Sequence, residues 1–487
     1  MKRYIYALVA LALLSVEGLS AQMKTSYFME GSYFRTEMNP ALAPTRGYVA
    51  LPFVSGFDFG LSGNLLSVDN FVYQTDKGLV TALNGAVSSG EFLSRLPEIG
   101  LESLKADINL FGVGFYTGRM FWNFGTSMHV NGDIYLSKDI FRAVKSLGNG
   151  LYDLGNVGAE LNAYMDAYVG TSIPIGKHVN VGVRAKFLVG LANASATFNQ
   201  LQVNVTENGV VGTANGEWRG NAFMLDAASY NAEEGMESLI NIDMDDPVAA
   251  AKGLMKSINS FGAALDLGAE ARFFNDHLKV SAAVTDLGFI KWNAKSHLRG
   301  AVSGDFHYNG YDFETQELDA GGSFNTDNLI YEGVNDGYTS YLNCAVNAGV
   351  EYNFLKNHFA VGLLSHTRFY RGTCTSELTA SLNIRPVNWI TLTASHTFLN
   401  KNRPGIFGAA INIHPRALNI FVGMDYIDPN LVYASDTLLV PRYAKSLNVY
   451  FGLGFNMARP KFMRQEQLAR KAERKAERKA ARKASKR

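Results

Sequence analysis

Residues 120–131 read MFWNFGTSMHVN, and nearly every second side chain is apolar. Trp122, Phe124, Thr126, Met128 and Val130 form one row, while Asn123, Gly125, Ser127, His129 and Asn131 form the other. A period of two puts the rows on opposite faces of a pleated strand. Residues 179–190 (VNVGVRAKFLVG) repeat the pattern, with Val179, Val181, Val183, Ala185, Phe187 and Val189 on one face and Asn180, Arg184 and Lys186 on the other. So do residues 447–456 (LNVYFGLGFN). Soluble sheets alternate too, but with strands of roughly 5–6 residues. These run about ten, the length of a tilted crossing of a bilayer. The second face, rich in Gly, Asn and charge, suits a wet lumen. The class that follows is all-β: a transmembrane antiparallel β-barrel.

Extending the pattern places strands at 47–61, 107–116, 120–131, 161–173, 179–197, 260–273, 278–291, 341–354, 358–369, 376–384, 389–399, 405–413, 417–427 and 446–456, fourteen in all. An even count is what single-chain bacterial barrels use. Short links at 118–119, 175–178, 274–277, 355–358, 385–388 and 414–416 alternate with long ones at 62–106, 132–160, 198–259, 292–340 and 428–445. Short turns on one rim and long loops on the other predict periplasmic turns and extracellular loops, with both chain ends in the periplasm. Within the long links, Asp246-Pro247 followed by 249–258 carries a helix start signal, and 139–147 and 92–104 carry weaker ones.

The ends of the chain differ from its middle. Met1, Lys2 and Arg3, an apolar run over 4–16 and small residues at Gly18, Ser20 and Ala21 predict a signal peptide over 1–21. Residues 461–487 hold twelve Lys or Arg and three Glu, a net of +9. With +1 from residues 1–21 and +1 overall, the body from 22 to 460 carries −9. An acidic body excludes a nucleic-acid channel. The tail, 457–487, repeats KAER, KAER, KAAR and KASK without an apolar stripe. It reads as a basic periplasmic segment for anionic lipid, peptidoglycan or an acidic partner, or else as a solvated helix or disordered tail.

Residues 22–46 do not alternate. Tyr27, Phe28, Tyr33, Phe34 and Met38 crowd a short stretch that Asn39-Pro40 should break, because the residue before proline avoids the helical region. Such a segment either folds into the lumen as a plug or rests on the rim; the need to bury its aromatics favours the plug. The triplet Asn39-Pro40-Ala41 ahead of fourteen strands resembles the long-chain fatty-acid transporter family, which carries Asn-Pro-Ala in its N-terminal hatch. The wider pattern, with SYFMEGS, NPAL and GYVALP, looks like a family of uncharacterised bacterial outer-membrane barrels known only as a domain of unknown function. The resemblance implies a barrel over 47–456 with a hatch built on Tyr27, Phe28, Tyr33, Phe34, Asn39, Pro40 and Ala41. The fatty-acid transporters' ligand pockets find no counterpart here, so lipid transport is not implied.

Parity turns Asp166, Arg184, Lys186, Asp266, Glu270, Arg272, Glu351, Arg368, Glu377 and Asp425 toward the lumen. They read as a selectivity lining or as a salt-bridge network that stiffens the interior. The nine histidines are scattered, and no GxSxG, HExxH, CxxC or P-loop appears, so neither catalysis nor a cofactor is expected. Asp243, Asp245 and Asp246 lack the spacing of a calcium loop and read as a solvated acidic turn. Cys344 and Cys374 fall one strand apart on outward parity, about 10 Å by strand spacing, and read as two isolated thiols. Two functions follow: an outer-membrane small-molecule channel gated by its leader, or a non-transporting scaffold that recruits secretion or envelope partners.

Overall fold

The computed structural model describes residues 23–463 except 53, 77, 146–149, 207–208, 230–251, 254–255, 313–316, 323–335, 371–372, 399–405, 428–430, 434–438 and 442–445. The signal peptide, the acidic turn at 243–246, most of the helix expected over 246–258 and the repeats of the tail lie outside the described residues.

Fourteen strands close into one antiparallel barrel. β1 comes in two pieces, Tyr48–Ala50 and Gly56–Gly63. β2 (Ile99–Thr117), β3 (Met120–Ser137), β4 (Val157–Ile175) and β5 (Val179–Thr206) are long. β6 (Phe261–Phe273), β7 (Leu278–Trp292), β8 (Ala345–Phe354), β9 (Phe359–Tyr370) and β10 (Thr373–Val387) follow. β11 (Ile390–Phe398), β12 (Ile406–Ile413), β13 (Leu418–Ile427) and β14 (Ser446–Asn456) complete the wall. Each strand pairs with its neighbour in sequence, and β14 returns to β1 with Tyr48 opposite Asn456 and Phe59 opposite Val449. No sheet edge is left to face lipid, where an unpaired amide has no water to bind.

The wall is inside-out compared with a soluble protein. Phe187 is 53% exposed and the adjacent Lys186 only 8%. The same contrast runs round the ring, with Phe111, Phe124, Leu363 and Phe451 outside and Asn109, Asn123, Thr379 and Asn448 inside. An apolar outer band around a polar interior is a lipid-facing surface. Near the short turns, Phe115, Phe273, Phe274, Tyr352, Trp389 and Phe455 are exposed, as in an interfacial aromatic girdle. No described helix is long and apolar enough to cross a membrane.

Three expectations need correction. β1 is interrupted between Ala50 and Gly56, not continuous over 47–61: Pro52 has no amide to give to the ladder. The helix expected over 92–104 is Ser89–Arg95, capped by Ser88, and Ile99 onward belongs to β2. There the pairing of Glu102 with Gly63 and Leu104 with Leu61 overrides a helix-like leucine spacing. The long links also hold more strand than expected. Gly209–Ala222 continues the sheet from the upper half of β5, and His297–Asp312 pairs with it in turn. That extension alternates too, with Gly212, Ala214, Gly216 and Trp218 against Thr213, Asn215, Glu217 and Arg219, but its first row is mostly glycine and alanine and lacks the large apolar side chains of the lipid-facing part. A separate apolar core of Leu65, Tyr73, Val87, Phe92 and Leu96, with Phe141 packed on it, organises the first two long links.

The closing seam carries a buried ionic contact. Lys105 of β2 binds Asp58 of β1 at 2.9 Å and Asp107 at 2.7 Å, and Asn448 of β14 donates to Asp58. Asp58→Ala removes one carboxylate and leaves Lys105 with Asp107 alone. We expect a loss of about 1.5–3 kcal/mol, the range for hydrogen bonds to a charged group, because Lys105 keeps a partner. The urea midpoint of the folded, fast-migrating band on unheated SDS gels measures it; an unchanged midpoint contradicts it.

Candidate functional site

Residues 23–42 lie within the interior, and almost all are buried. The segment turns tightly: a 3-10 turn over Lys24–Ser26, then helix α1 over Arg35–Met38. Asn39 ends α1 in an extended conformation, as a residue preceding proline must.

Tyr27, Phe28, Tyr33 and Phe34 are each at most 5% exposed. Tyr33 stacks on Tyr48 at 4.3 Å, and Phe34 lies 4.9 Å from Phe421. The Tyr27 hydroxyl bonds Ser281 at 3.0 Å and accepts from the Asn39 amide at 3.2 Å. The Asn39 side-chain Oδ1 in turn accepts from the Ala41 backbone N–H at 2.9 Å, which closes the turn around Pro40. The wall opposite is glycine for a steric reason. A Cβ on Gly182 would strike the backbone of Pro40 and Ala41, and one on Gly268 would meet Asn39 and Pro40. Backbone carbonyls of the segment are met by wall side chains: Asn347 donates to Met38 (2.9 Å), Arg385 to Phe28 (3.0 Å), Asn419 to Gly31 (2.7 Å) and Ser172 to Ala41 (3.2 Å). These donors come from β8, β10, β13 and β4, so the leader is held from all around the ring.

The start of the segment is anchored ionically. Lys24 pairs with Glu377 and donates to Tyr426, whose hydroxyl contacts both Glu377 oxygens at 3.0 and 3.1 Å. Thr25 donates to Asp425 and meets the Ser395 hydroxyl. Burial pulls the Lys24 ammonium down to about 7, against the field of Asp425. Two cavities flank the leader. An inner one of about 80 Å³ is bordered by Met23, Glu37 and Met38 on the leader side and by Asp107, His129, Asp166 and Lys186 on the wall. A vestibule of about 940 Å³ on the short-turn side is bordered by Glu30, Gly31, Arg35, Leu42, Ala43 and Thr45 of the leader. The two share no lining residue.

The ten wall residues expected in the lumen fall into three groups. Asp166, Arg184, Lys186, Asp266 and Arg368 lie at or beside the inner cavity. Lys186 bridges Asp266 (3.0 Å) and Asp286 (2.6 Å), and the Arg184 guanidinium donates to Thr36 of the leader at 2.9 Å. Glu270, Arg272 and Glu351 lie at the vestibule end, with Arg272 on Glu270 (2.6 Å) and Arg385 on Glu351 (2.6 Å). Glu377 and Asp425 receive Lys24 and Thr25. Charges not singled out from sequence complete these groups: Lys24, Glu30, Arg35, Glu37, Lys105, Asp107, Lys279 and Arg385. Lys105 precedes the strand expected at 107, and Arg385 was assigned to a turn, so parity gave them no face. Cys344 and Cys374 are free thiols on either side of Phe369 in the sheet.

The model of a family of unknown function, DUF5723, matches residues 40–425. The chain belongs to that family. No curated protein matches it. Among solved structures, this DUF5723 member is similar to the Pseudomonas putida toluene transporter TodX, at 8% identity over 86% of this chain and 92% of that one, with a TM-score of 0.36. It is also similar to a Pseudomonas aeruginosa FadL homologue (12%, 91% and 98%, 0.35) and to the translocator domain of the Neisseria meningitidis autotransporter NalP (7%, 89% and 97%, 0.30).

One leader group is placed to report on pH. Burial lifts the Glu37 carboxyl to about 7; Arg184 opposes the lift, Asp107 adds to it, and His129 and Lys105 oppose it. A docked leader therefore keeps a proton that a released leader gives up near the ordinary value of 4.5. The Glu37 contribution to docking should weaken as pH rises from about 4.5 to about 7 and level off above that. Deuterium exchange of the amides of residues 23–43, corrected for intrinsic rates, should become faster over this window. Glu37→Gln should remove that part of the change. Equal pH profiles for the two proteins would refute it.

Proposed function

We propose that the protein is an outer-membrane channel for small polar molecules, with residues 23–43 as the plug of its own lumen. The observation that carries this reading is the position of the leader between two cavities that share no lining residue. The closed sheet, the apolar outer band and the aromatic girdle support placement in an outer membrane. Both cavities are bordered largely by Asp, Glu, Lys, Arg, His and Asn, which favours polar solutes over hydrocarbons. Lys24 with Glu377, and Thr25 with Asp425, form the latch; Gly182 and Gly268 form the seat.

Planar-bilayer recording of the full-length protein tests this. Glu377→Gln combined with Asp425→Asn should release the latch, and Gly182→Leu should unseat Pro40 and Ala41. Each should raise the frequency of open events at least tenfold over the parent protein. Deleting residues 23–43 should leave the pore open. No rise in any of these, with all of them folded by gel mobility, would sink the channel reading.

A second reading concerns the tail. The Phe462 ring packs on Tyr116 at 5.8 Å and beneath the Arg119 guanidinium at 5.9 Å, so the chain leaves the barrel from a fixed point on the short-turn rim. This supports a tethered basic arm that engages anionic envelope material. Truncation after Pro460 should abolish co-sedimentation with purified peptidoglycan at physiological salt. Equal sedimentation with and without the tail would remove this role.

A further inference from the structure

The vestibule on the short-turn side has an imbalance of charge. Seven Lys or Arg border it: Arg35, Arg119, Lys177, Arg272, Lys279, Arg385 and Arg459. Its bordering carboxylates are Glu30, Glu270 and Asp276. Most of the local negative charge is already engaged. Arg272 holds Glu270, Lys279 holds Glu30, and Lys279 and Arg385 share Glu351 at 3.0 and 2.6 Å.

Arg35 is left over. It sits on α1, is 6% exposed and borders the vestibule. Among the described residues its side chain makes no hydrogen bond and no ion pair, and its Nε is buried without a partner. The field of Arg35 reaches Glu30: burial raises that carboxyl, but Lys279, Arg385 and Arg35 together hold it well below its usual range. Glu30 is nevertheless bound by Lys279 rather than by Arg35. Two other arginines of the vestibule also have a buried Nε without a partner: Arg385, whose terminal nitrogens are engaged by Glu351, Asn353, Asn357 and Phe28, and Arg459, just beyond the end of β14. A guanidinium does not discharge by losing its proton, and burial without a counter-charge is costly. Its planar fork is matched by the oxygens of a carboxylate or phosphate.

We propose that the vestibule is a binding site for a small dianion, presented as a phosphate group or as two carboxylates, with Arg35 as its principal ligand and Arg459 assisting from the rim. This deepens the channel reading by naming the charge class of the solute, and rests on that reading only for the idea that the bound anion goes on to cross. Because Arg35 is part of the plug, occupancy of the vestibule is felt by the segment that closes the lumen.

The test is calorimetric titration of the full-length protein in non-ionic detergent at 50 mM NaCl, with inorganic phosphate in one arm and succinate in the other. At least one should bind saturably; the arm that binds more tightly identifies the anion's form, and glucose should give no binding heat. Arg35→Gln should weaken binding at least tenfold and Arg459→Gln three- to tenfold. Arg95→Gln, remote on the long-link side, should leave it unchanged. Absence of saturable binding in both arms, or equal affinity in the parent and the Arg35→Gln protein, overturns the proposal. If Arg35→Gln fails to fold, Arg459→Gln and the salt dependence of the parent decide, and an affinity indifferent to both overturns it. Binding needs no passage. Anion binding in a protein whose released variants never conduct would defeat the channel reading alone, and conduction without anion binding would defeat this inference alone.

Discussion

A sheet closed within lipid must send its polar side chains inward, and in this protein the inward space is too crowded with charge to be left to the wall alone. Asp58, Asp166, Asp266, Glu270, Glu351, Glu377 and Asp425 are all below a tenth exposed. Unpaired, each would impose a desolvation cost of several kcal/mol. Wall cations answer most of them: Lys105, Lys186, Arg272, Lys279 and Arg385. Glu377 and Asp425 are answered from elsewhere, by Lys24 and Thr25 of the leader. The leader thus completes an electrostatic structure that the barrel begins.

The same complementarity holds for shape. The aromatic rings of the leader need burial, and the wall supplies glycine where the leader's backbone comes closest. A Cβ on Gly349 or Gly362 would crowd Phe28, as one on Gly182 would crowd Pro40. Hydrogen bonds from Asn347, Arg385 and Asn419 to leader carbonyls replace the water that a short, irregular segment would otherwise need. Packing and polar satisfaction point to one position for the segment, which is the condition for a single ordered state.

Much of this was legible in the sequence because alternation with a wet face and a greasy face leaves no ambiguity of register. The strand from Met120 and the strand from Val179 both show it, and the short turns at Gly118 and 175–178 follow directly. Beyond the length of a bilayer crossing the signal is weaker but present. In the upper part of β5, Leu201, Val203 and Val205 alternate with Gln202 and Asn204, and in the strand Gly209–Ala222, Gly212, Ala214 and Trp218 alternate with Asn215, Glu217 and Arg219. The expected link at 198–259 thus rested on the length of a crossing and not on the pattern. The helix that stops at Arg95 turned on pairing partners far away in the chain, whereas the break in β1 is local, set by Pro52. Within the site, parity found Asp166, Arg184 and Asp425. It could not find Arg35 or Glu37, because an irregular segment has no period to read.

The leader directly precedes β1, and β1 is the strand that β14 must meet to close the ring, some four hundred residues later in the chain. The seat of the leader is assembled from β4, β8, β10 and β13, so it does not exist until the sheet is nearly whole. Once β14 has paired with β1, the wall has no gap through which an aromatic segment could be threaded sideways. Assembly therefore has an order built into it. The segment has to be inside, or to enter through the short-turn mouth, around the time of the slowest, most non-local pairing in the molecule. The segment that stands ahead of the first strand is thus among the last to find its place.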